Sequence, residues 1–552
     1  MIKENSQEKR GETAGKAIIH GISAIYLFMV ACMVPLYMYD GYYGLSSGKF
    51  ILYRNIGFLF LPILLFLIIG KGIKAAKQGE RLGKSGIGRN KFLLLPEIFL
   101  LLYGLCNILS FLLSPYKREG LFGAEGWYMG LFSQLSFLIL YFYYAYVWEA
   151  EKEALAVILT VCGFICVLAV LNRFGIWPVA FRGRTENTLS TIGNTNWLCG
   201  YLSVMMPAGT VLFWGSLRSG CREQAGKQRE KIAAGLFTAA AFFCAAIQGS
   251  DSGLLVMGTV LSFLFLISCR DTKNMDAFWD VFLTVAGAWL IGALLRDCFP
   301  QRILYDSRSL SLIHVTIMVP VFLAALVCRG LWRLWSSKAE PEKCLRLLAR
   351  MKKGFLIFLV ILLLAAVLFT AAGLWGSDEL KSYFPYLLAF DEQWGNGRGG
   401  IWKECMDIWL RESTVRKLLG VGPDCLRVFL YTEQGNNPLL STAYREAVLT
   451  NCHNEWMTIL MNTGLAGLFT YVGFLAGMAR RFLKKGNLSS WIGAAVLVTY
   501  TIHNMVSFQQ ITSTPLLFLI LGLSWNGSCA DKSSDDLYKE KQSAKMKTEK
   551  PM

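Results

Sequence analysis

Histidine is scarce in this chain, with four in 552 residues, and only 17% of the residues are charged. Soluble domains carry about a quarter of their residues as charges, so an ordinary soluble protein is excluded. No CxxC motif has a partner pair, which removes the sequence basis for a zinc or iron–sulfur site. The fifteen cysteines do not restore one. Most, such as Cys32, Cys106, Cys162, Cys166 and Cys244, lie in apolar runs, where cysteine acts as a small hydrophobe. No internal repeat is visible, and no DxD-like carboxylate pair occurs in the segments that the topology below places outside.

What is present is apolar length. The chain is 54% hydrophobic, with a mean hydropathy of +0.43. Its apolar residues come in fourteen blocks, starting at 17–38 and ending at 512–526. Most have the roughly 20 residues that a helix needs to cross a bilayer. Blocks 254–269 and 512–526 are short, so the expectation is an all-α polytopic membrane protein with about 14 (12–14) spans. The first block has no small-residue cleavage site and reads as an anchor.

Lys and Arg resist translocation and mark the cytoplasmic side. Seven basic residues in 71–91, five in 217–231, eight in 329–353 and four in RRFLKK (480–485) fall on one side when fourteen spans are counted. The N-terminus (1–16) and the Lys-rich tail (527–552, read as disordered) join them. The expectation is a multi-pass protein of the cell membrane with both termini cytoplasmic. These segments account for most of the +17 net charge, so no nucleic acid is needed to explain it.

Between the spans of 17–375 and those of 456–526 lies a stretch, 376–455, far longer than joining two helices requires. It is rich in Trp, Leu and Gly, unlike a linker. In IWKECMDIWLRE (401–412), Ile401, Trp402, Cys405, Ile408 and Trp409 share one helical face. A GVGPD turn (420–424) leads to CLRVFLYT, a second short helix or an extended piece. The reading is a small amphipathic cap on the outer membrane face. Any one pair among Cys405, Cys425 and Cys452 can form a disulfide there.

The most polar cluster, NCHNEW (451–456), stands at the mouth of an apolar run. His453, Asn454 and Glu455 are followed by Gly464 and Gly467, small residues that admit a neighbouring helix. A neutral histidine suits proton abstraction from a hydroxyl. Arg398, in NGRGGIW, combines a guanidinium with flanking glycines and makes a candidate anion cradle. FRGRTENTLSTIGNTNW (181–197) carries Arg182, Arg184 and Asn196 at the outer end of a span, where arginine is normally depleted. His503, beside Asn504, is an intramembrane candidate better explained by a helix–helix hydrogen bond. His20 and His314 read as packing residues, and at Asp251 a helix cap explains the residue as well as catalysis does.

Together these residues resemble the O-antigen ligase and O-antigen polymerase superfamily of bacterial envelope proteins. That family's signature is a His followed by Asn, Ser or Gln, nine residues, a Gly, two residues and another small residue. His453, Asn454, Gly464 and Gly467 fit it position by position. The resemblance extends through GRGGIW, GVGPD and the RTENTLSTIGNTNW segment, covering about 180–525. Family members often carry Ser-Arg where this chain has Ser250-Asp251, so no arginine is assigned at that turn.

The resemblance implies glycosyl transfer outside the cytoplasm, with inversion and without a metal or other cofactor. The donor is an oligosaccharide on undecaprenyl pyrophosphate, and the acceptor a hydroxyl of a glycan, lipid or protein. A flippase or chain-length regulator is an implied partner. In this scheme His453 is the base, Arg398 and Arg184 clamp the pyrophosphate, and Asn454 or Glu455 orients the ring. Arg182 and Asn196 complete the substrate-binding set. Ligase and polymerase share the chemistry. The alternatives are a transporter of lipid-linked saccharides, which calls for charges spread through the spans, and a scaffold or sensor in which His453 is replaceable.

Overall fold

The computed structural model describes residues 15, 17–77, 95–148, 152–218, 225–303, 307–375, 379, 394–434 and 449–527. Lipid offers backbone groups no hydrogen-bond partner, so apolar segments satisfy themselves as helices. Each of the fourteen apolar blocks contains one. Eleven are long and apolar enough to cross a membrane, from Ala17–Leu36 to Glu455–Lys485. Three others, Leu131–Tyr146, Leu488–His503 and Thr514–Gly527, are apolar but shorter. Against the expected about 14 (12–14) spans, eleven described helices meet the criterion of length and composition, and the three shorter ones do not. The block 254–269 lies within an 18-residue helix, Asp251–Ser268, which meets the criterion.

Burial ranks the helices. Thr195–Arg218 is almost wholly enclosed and packs against Leu488–His503, whereas Pro341–Ala372 turns its apolar surface outward along most of its length, with Cys344 and Leu348 buried near its start. Glu455–Lys485 packs chiefly on Leu95–Leu113. At the end of this pair remote from the histidine, Arg481 and Glu97 form a buried ion pair, with Arg481 Nη2 2.6 Å from Glu97 Oε2. The hydroxyls of Tyr141 and Tyr146 donate to the same carboxylate at 2.7 and 2.6 Å. Such pairing is what makes a charge tolerable in a helix bundle.

A second, smaller core caps the opposite end. It is built from the helices Trp394–Arg411 and Leu426–Glu433 and centres on Ile401, Cys405, Ile408, Phe429, Leu430 and Cys452. The parts of the long stretch at 380–393 and 435–448 lie outside the described residues, as do the basic segment 78–94 and the tail. Among the described residues the only strands are Thr188–Leu189 and Gly193–Asn194, a two-residue antiparallel ladder in the 181–197 segment.

The cap is seated on a break in a helix. Gly464, inside Glu455–Lys485, has a left-handed φ of 68°, which interrupts the i to i−4 ladder and frees carbonyls one turn earlier. Val421 N donates to Met461 O at 3.1 Å and Gly422 N to Asn462 O at 3.0 Å. Asn462 Oδ1 accepts from Leu426 N at 3.1 Å. A Cβ at 464 would overlap the backbone of Leu418 and Leu419. The neighbour that the glycine admits is thus the cap, where the sequence suggested another span.

Candidate functional site

His453 occupies a turn that is determined several times over. Its φ of 48° is left-handed, a conformation that costs a non-glycine residue about 1–2 kcal/mol. Asn451 Oδ1 accepts from His453 N at 2.8 Å, an Asx-type closure. Asn454 is the N-cap of Glu455–Lys485, its Oδ1 accepting from Met457 N at 3.1 Å. Cys452 N donates to Thr458 Oγ1 at 3.2 Å.

The imidazole is half-buried, set edge-to-face on Phe508 with ring centroids 5.4 Å apart. Phe508 meets Trp127 at 4.2 Å, and Trp127 meets Trp197 at 5.6 Å. The Trp127 indole N–H also donates to Thr450 Oγ1. Among the described residues no hydrogen bond engages the ring nitrogens of His453. Burial, aided by the positive charge of Arg398, lowers its pKa to about 4. The ring is therefore neutral at pH 7 and can accept a proton.

Arg398 acts on this ring electrostatically, and helical spacing ties its position to the histidine turn. Arg398, Trp402 and Cys405 stand at i, i+4 and i+7 of Trp394–Arg411 and share a face. Trp402 Nε1 donates to Cys452 O at 2.9 Å, and the Cys405 and Cys452 sulfurs are 3.6 Å apart. Gly397, with φ 84°, permits the bend just before Arg398. The same guanidinium acts on His503 as well as on His453.

Glu455, next in sequence after Asn454, faces into the bundle. Its carboxylate accepts from Tyr471 Oη at 2.6 Å, from Gln509 Nε2 at 3.3 Å and from the Asn504 amide. That last bond turns Asn504 Oδ1 toward His503 Nδ1, 2.8 Å away, which makes Nδ1 the protonated nitrogen of His503. Glu455 thus orients His503, not His453. Asp424, in the GVGPD turn with φ 56°, accepts from Ala124 N and Met129 N through one oxygen, both at 2.8 Å. Burial pushes its pKa up to about 7, against the lowering effect of those two N–H groups. Asp424, Asn451, Glu455, Gln509, Trp127 and Phe508 help line a cavity of about 30 Å³, enough for about one water.

The remaining candidates lie elsewhere. Arg182 is exposed and paired with Asp40 at 2.9 Å. Arg184 is exposed and sits over the Trp177 ring at 4.9 Å. No described contact joins either to His453. Asn196 accepts from Ser250 Oγ at 2.7 Å and Ser252 Oγ at 3.4 Å, tying the 181–197 segment to the next turn. There Ser250 holds the N-cap position and Asp251 only the first turn, so the cap assignment shifts by one residue. His314 is an N-cap residue, its Nδ1 accepting from Thr316 N at 3.2 Å, and not a mere packing residue. His20 stacks on Trp148. Among the described residues no cluster of three His, Cys, Asp or Glu side chains is placed to hold a metal.

Sequence reasoning missed Trp402, Asp424, Trp127, Phe508 and Gln509. Asp424 had a signal, a carboxylate in a Gly-rich turn, and Trp402 had one in its four-residue spacing from Arg398. Phe508 and Gln509 had none, because only folding brings 504–510 beside 451–455. No protein-family model matches the chain, and no curated protein matches it.

Proposed function

We propose that this membrane protein transfers a saccharide from an undecaprenyl-pyrophosphate donor to an acceptor hydroxyl, as a polysaccharide ligase or polymerase of the O-antigen type. The observation that carries the reading is the pairing of a neutral, half-buried His453 with the guanidinium of Arg398 on an adjoining helix. One group takes a proton and the other stabilises an anion, as displacement of a pyrophosphate by a hydroxyl requires. The resemblance of the His453–Gly467 pattern to that family supplies the substrate class. The basic end of Glu455–Lys485, at Lys484 and Lys485, lies at the other end of the helix from His453. By the charge rule this supports an extracytoplasmic site in the cell membrane and cytoplasmic termini.

In the proposed step the acceptor oxygen attacks the anomeric carbon while its proton passes to His453. The bond from that carbon to the pyrophosphate oxygen breaks on the opposite face, so the configuration inverts. Arg398 holds the departing pyrophosphate in line, and two parallel N–H···O bonds from one fork are its best means. A base of pKa about 4 is weaker than neutral pH calls for. The donor itself offsets this, because a pyrophosphate against Arg398 cancels the charge that helps hold His453 down. Arg184, in its exposed loop, contributes by attracting the anionic donor.

The test uses purified protein in liposomes with undecaprenyl-pyrophosphate-linked oligosaccharide. Arg398→Lys keeps the charge and loses the fork, and is expected to lose most of the transfer rate and to weaken donor binding. Arg427→Lys, on Leu426–Glu433 in the same cap, is expected to stay near the parent. Equal, near-parental rates for both would remove Arg398 from the mechanism.

A further inference from the structure

Cys405 and Cys452 face each other across the contact between the arginine-bearing helix and the histidine turn. Their sulfurs are 3.6 Å apart, both side chains are buried, and both are free thiols. Disulfide closure needs the sulfurs to move to about 2.05 Å, a shift within reach of side-chain rotation in two segments already aligned. That alignment is independent of the sulfurs, since Trp402, one turn before Cys405, is bonded to the carbonyl of Cys452. Cys425, the third cysteine of the cap, is also buried, yet its sulfur neighbours are Ser114 Oγ at 3.8 Å and the carbonyls of Tyr116 and Pro423. Three pairings were open in the sequence, and the structure leaves one.

We infer that Cys405 and Cys452 form a modification site, a thiol pair that closes to an intramolecular disulfide and fastens the helix of Arg398 to the turn of His453. The bond joins positions 47 residues apart. It turns an interface that includes the Trp402 indole hydrogen bond and apolar packing into a covalent one. Closure removes two protons and two electrons, which pass to an external disulfide by exchange, one thiolate attacking and the oxidant leaving as two thiols. The hydrogen bond with Cys452, and after it burial, hold the Cys405 thiol well above its ordinary pKa, so the folded pair is slow toward mild oxidants and closes with a strong one. The inference stands apart from the proposed glycosyl transfer, since it rests on sulfur geometry and is read without any activity.

The full-length protein, purified under reducing conditions, is treated with diamide, whose N=N bond takes up both electrons and both protons. Remaining thiols are alkylated after denaturation, and peptides are mapped by mass spectrometry. The expected result is a 405–452 linked peptide in most molecules, with Cys425 fully alkylated. The link is expected to persist in Cys425→Ser and to vanish in Cys405→Ser. In the oxidised form, amide exchange in 398–405 and 451–454 is expected to slow together, with a higher thermal midpoint. If Cys405 and Cys452 are alkylated as fully as Cys425 after diamide, or if the link joins Cys425, the inference is wrong. A link that forms without slowing exchange in both segments would also overturn it, because the bond would then fasten nothing.

Discussion

Trp402 donates its indole N–H to the carbonyl oxygen of Cys452 across 2.9 Å, one residue before His453 and one helical turn after Arg398. This bond ties the helix that carries Arg398 to the turn that carries His453. Trp402→Phe keeps the ring's apolar bulk and leaves the carbonyl without its donor. The expected loss is about 1–3 kcal/mol of stability in the cap. The transfer rate is expected to fall while the bundle stays folded, as read by thermal unfolding and by initial rate.

The electrostatics of the pair predict an unusual pH profile. His453 is depressed to about 4, first by burial and then by Arg398. The acid limb of kcat/KM, which reports the free enzyme, is therefore expected near pH 4, well below the ordinary histidine value. The acid limb of kcat is expected at higher pH, because bound pyrophosphate offsets Arg398. Arg398→Gln should raise the free-enzyme limb only part of the way, since burial is the larger cause. Stability carries the same sign. Folded His453 stays neutral between about pH 4 and 6.5 while the unfolded chain binds a proton, so this contribution is full above 6.5 and is lost as pH falls toward 4.

Asp424 acts in the opposite sense. Its carboxyl is raised from 3.8 to about 7 by burial, so the folded chain holds a proton that the unfolded chain gives up. Stability from this group falls as pH rises from about 4 to 7 and is level above, a change on the order of 4 kcal/mol. Asp424→Asn keeps an acceptor for the N–H groups of Ala124 and Met129 and removes the titration. Chemical unfolding of this variant across that range is expected to lose the downward slope, while transfer at pH 7 is retained.

The helical architecture was legible because apolar blocks of bilayer length have one good solution, and every block contains a helix. Composition does not reveal length after folding, and three of the fourteen helices are shorter than the others. Leu131–Tyr146 and Leu488–His503 end early, the second at His503 before the irregular stretch that delivers Phe508 and Gln509. Arg398 and His453 were legible as polar islands at the edges of apolar runs. Their surroundings were not. The left-handed backbone at His453 sends Glu455, two residues on, into the core, and no periodicity encodes that reversal. Gly464 was legible as small, but its use depends on a cap whose docking is a long-range event. Arg182 and Arg184 shared a composition signal with Arg398, and the fold places them in a separate exposed loop.

The central claim is that His453 removes the proton of the attacking hydroxyl. The most direct measurement is the initial transfer rate of His453→Gln in liposomes, with purified undecaprenyl-pyrophosphate-linked oligosaccharide and donor binding followed in parallel. Gln keeps size and polarity and cannot take the proton. The account predicts a rate loss of about 100-fold or more with insertion, thermal midpoint and donor binding close to the parent. A His453→Gln protein that transfers saccharide within about twofold of the parent rate would contradict it.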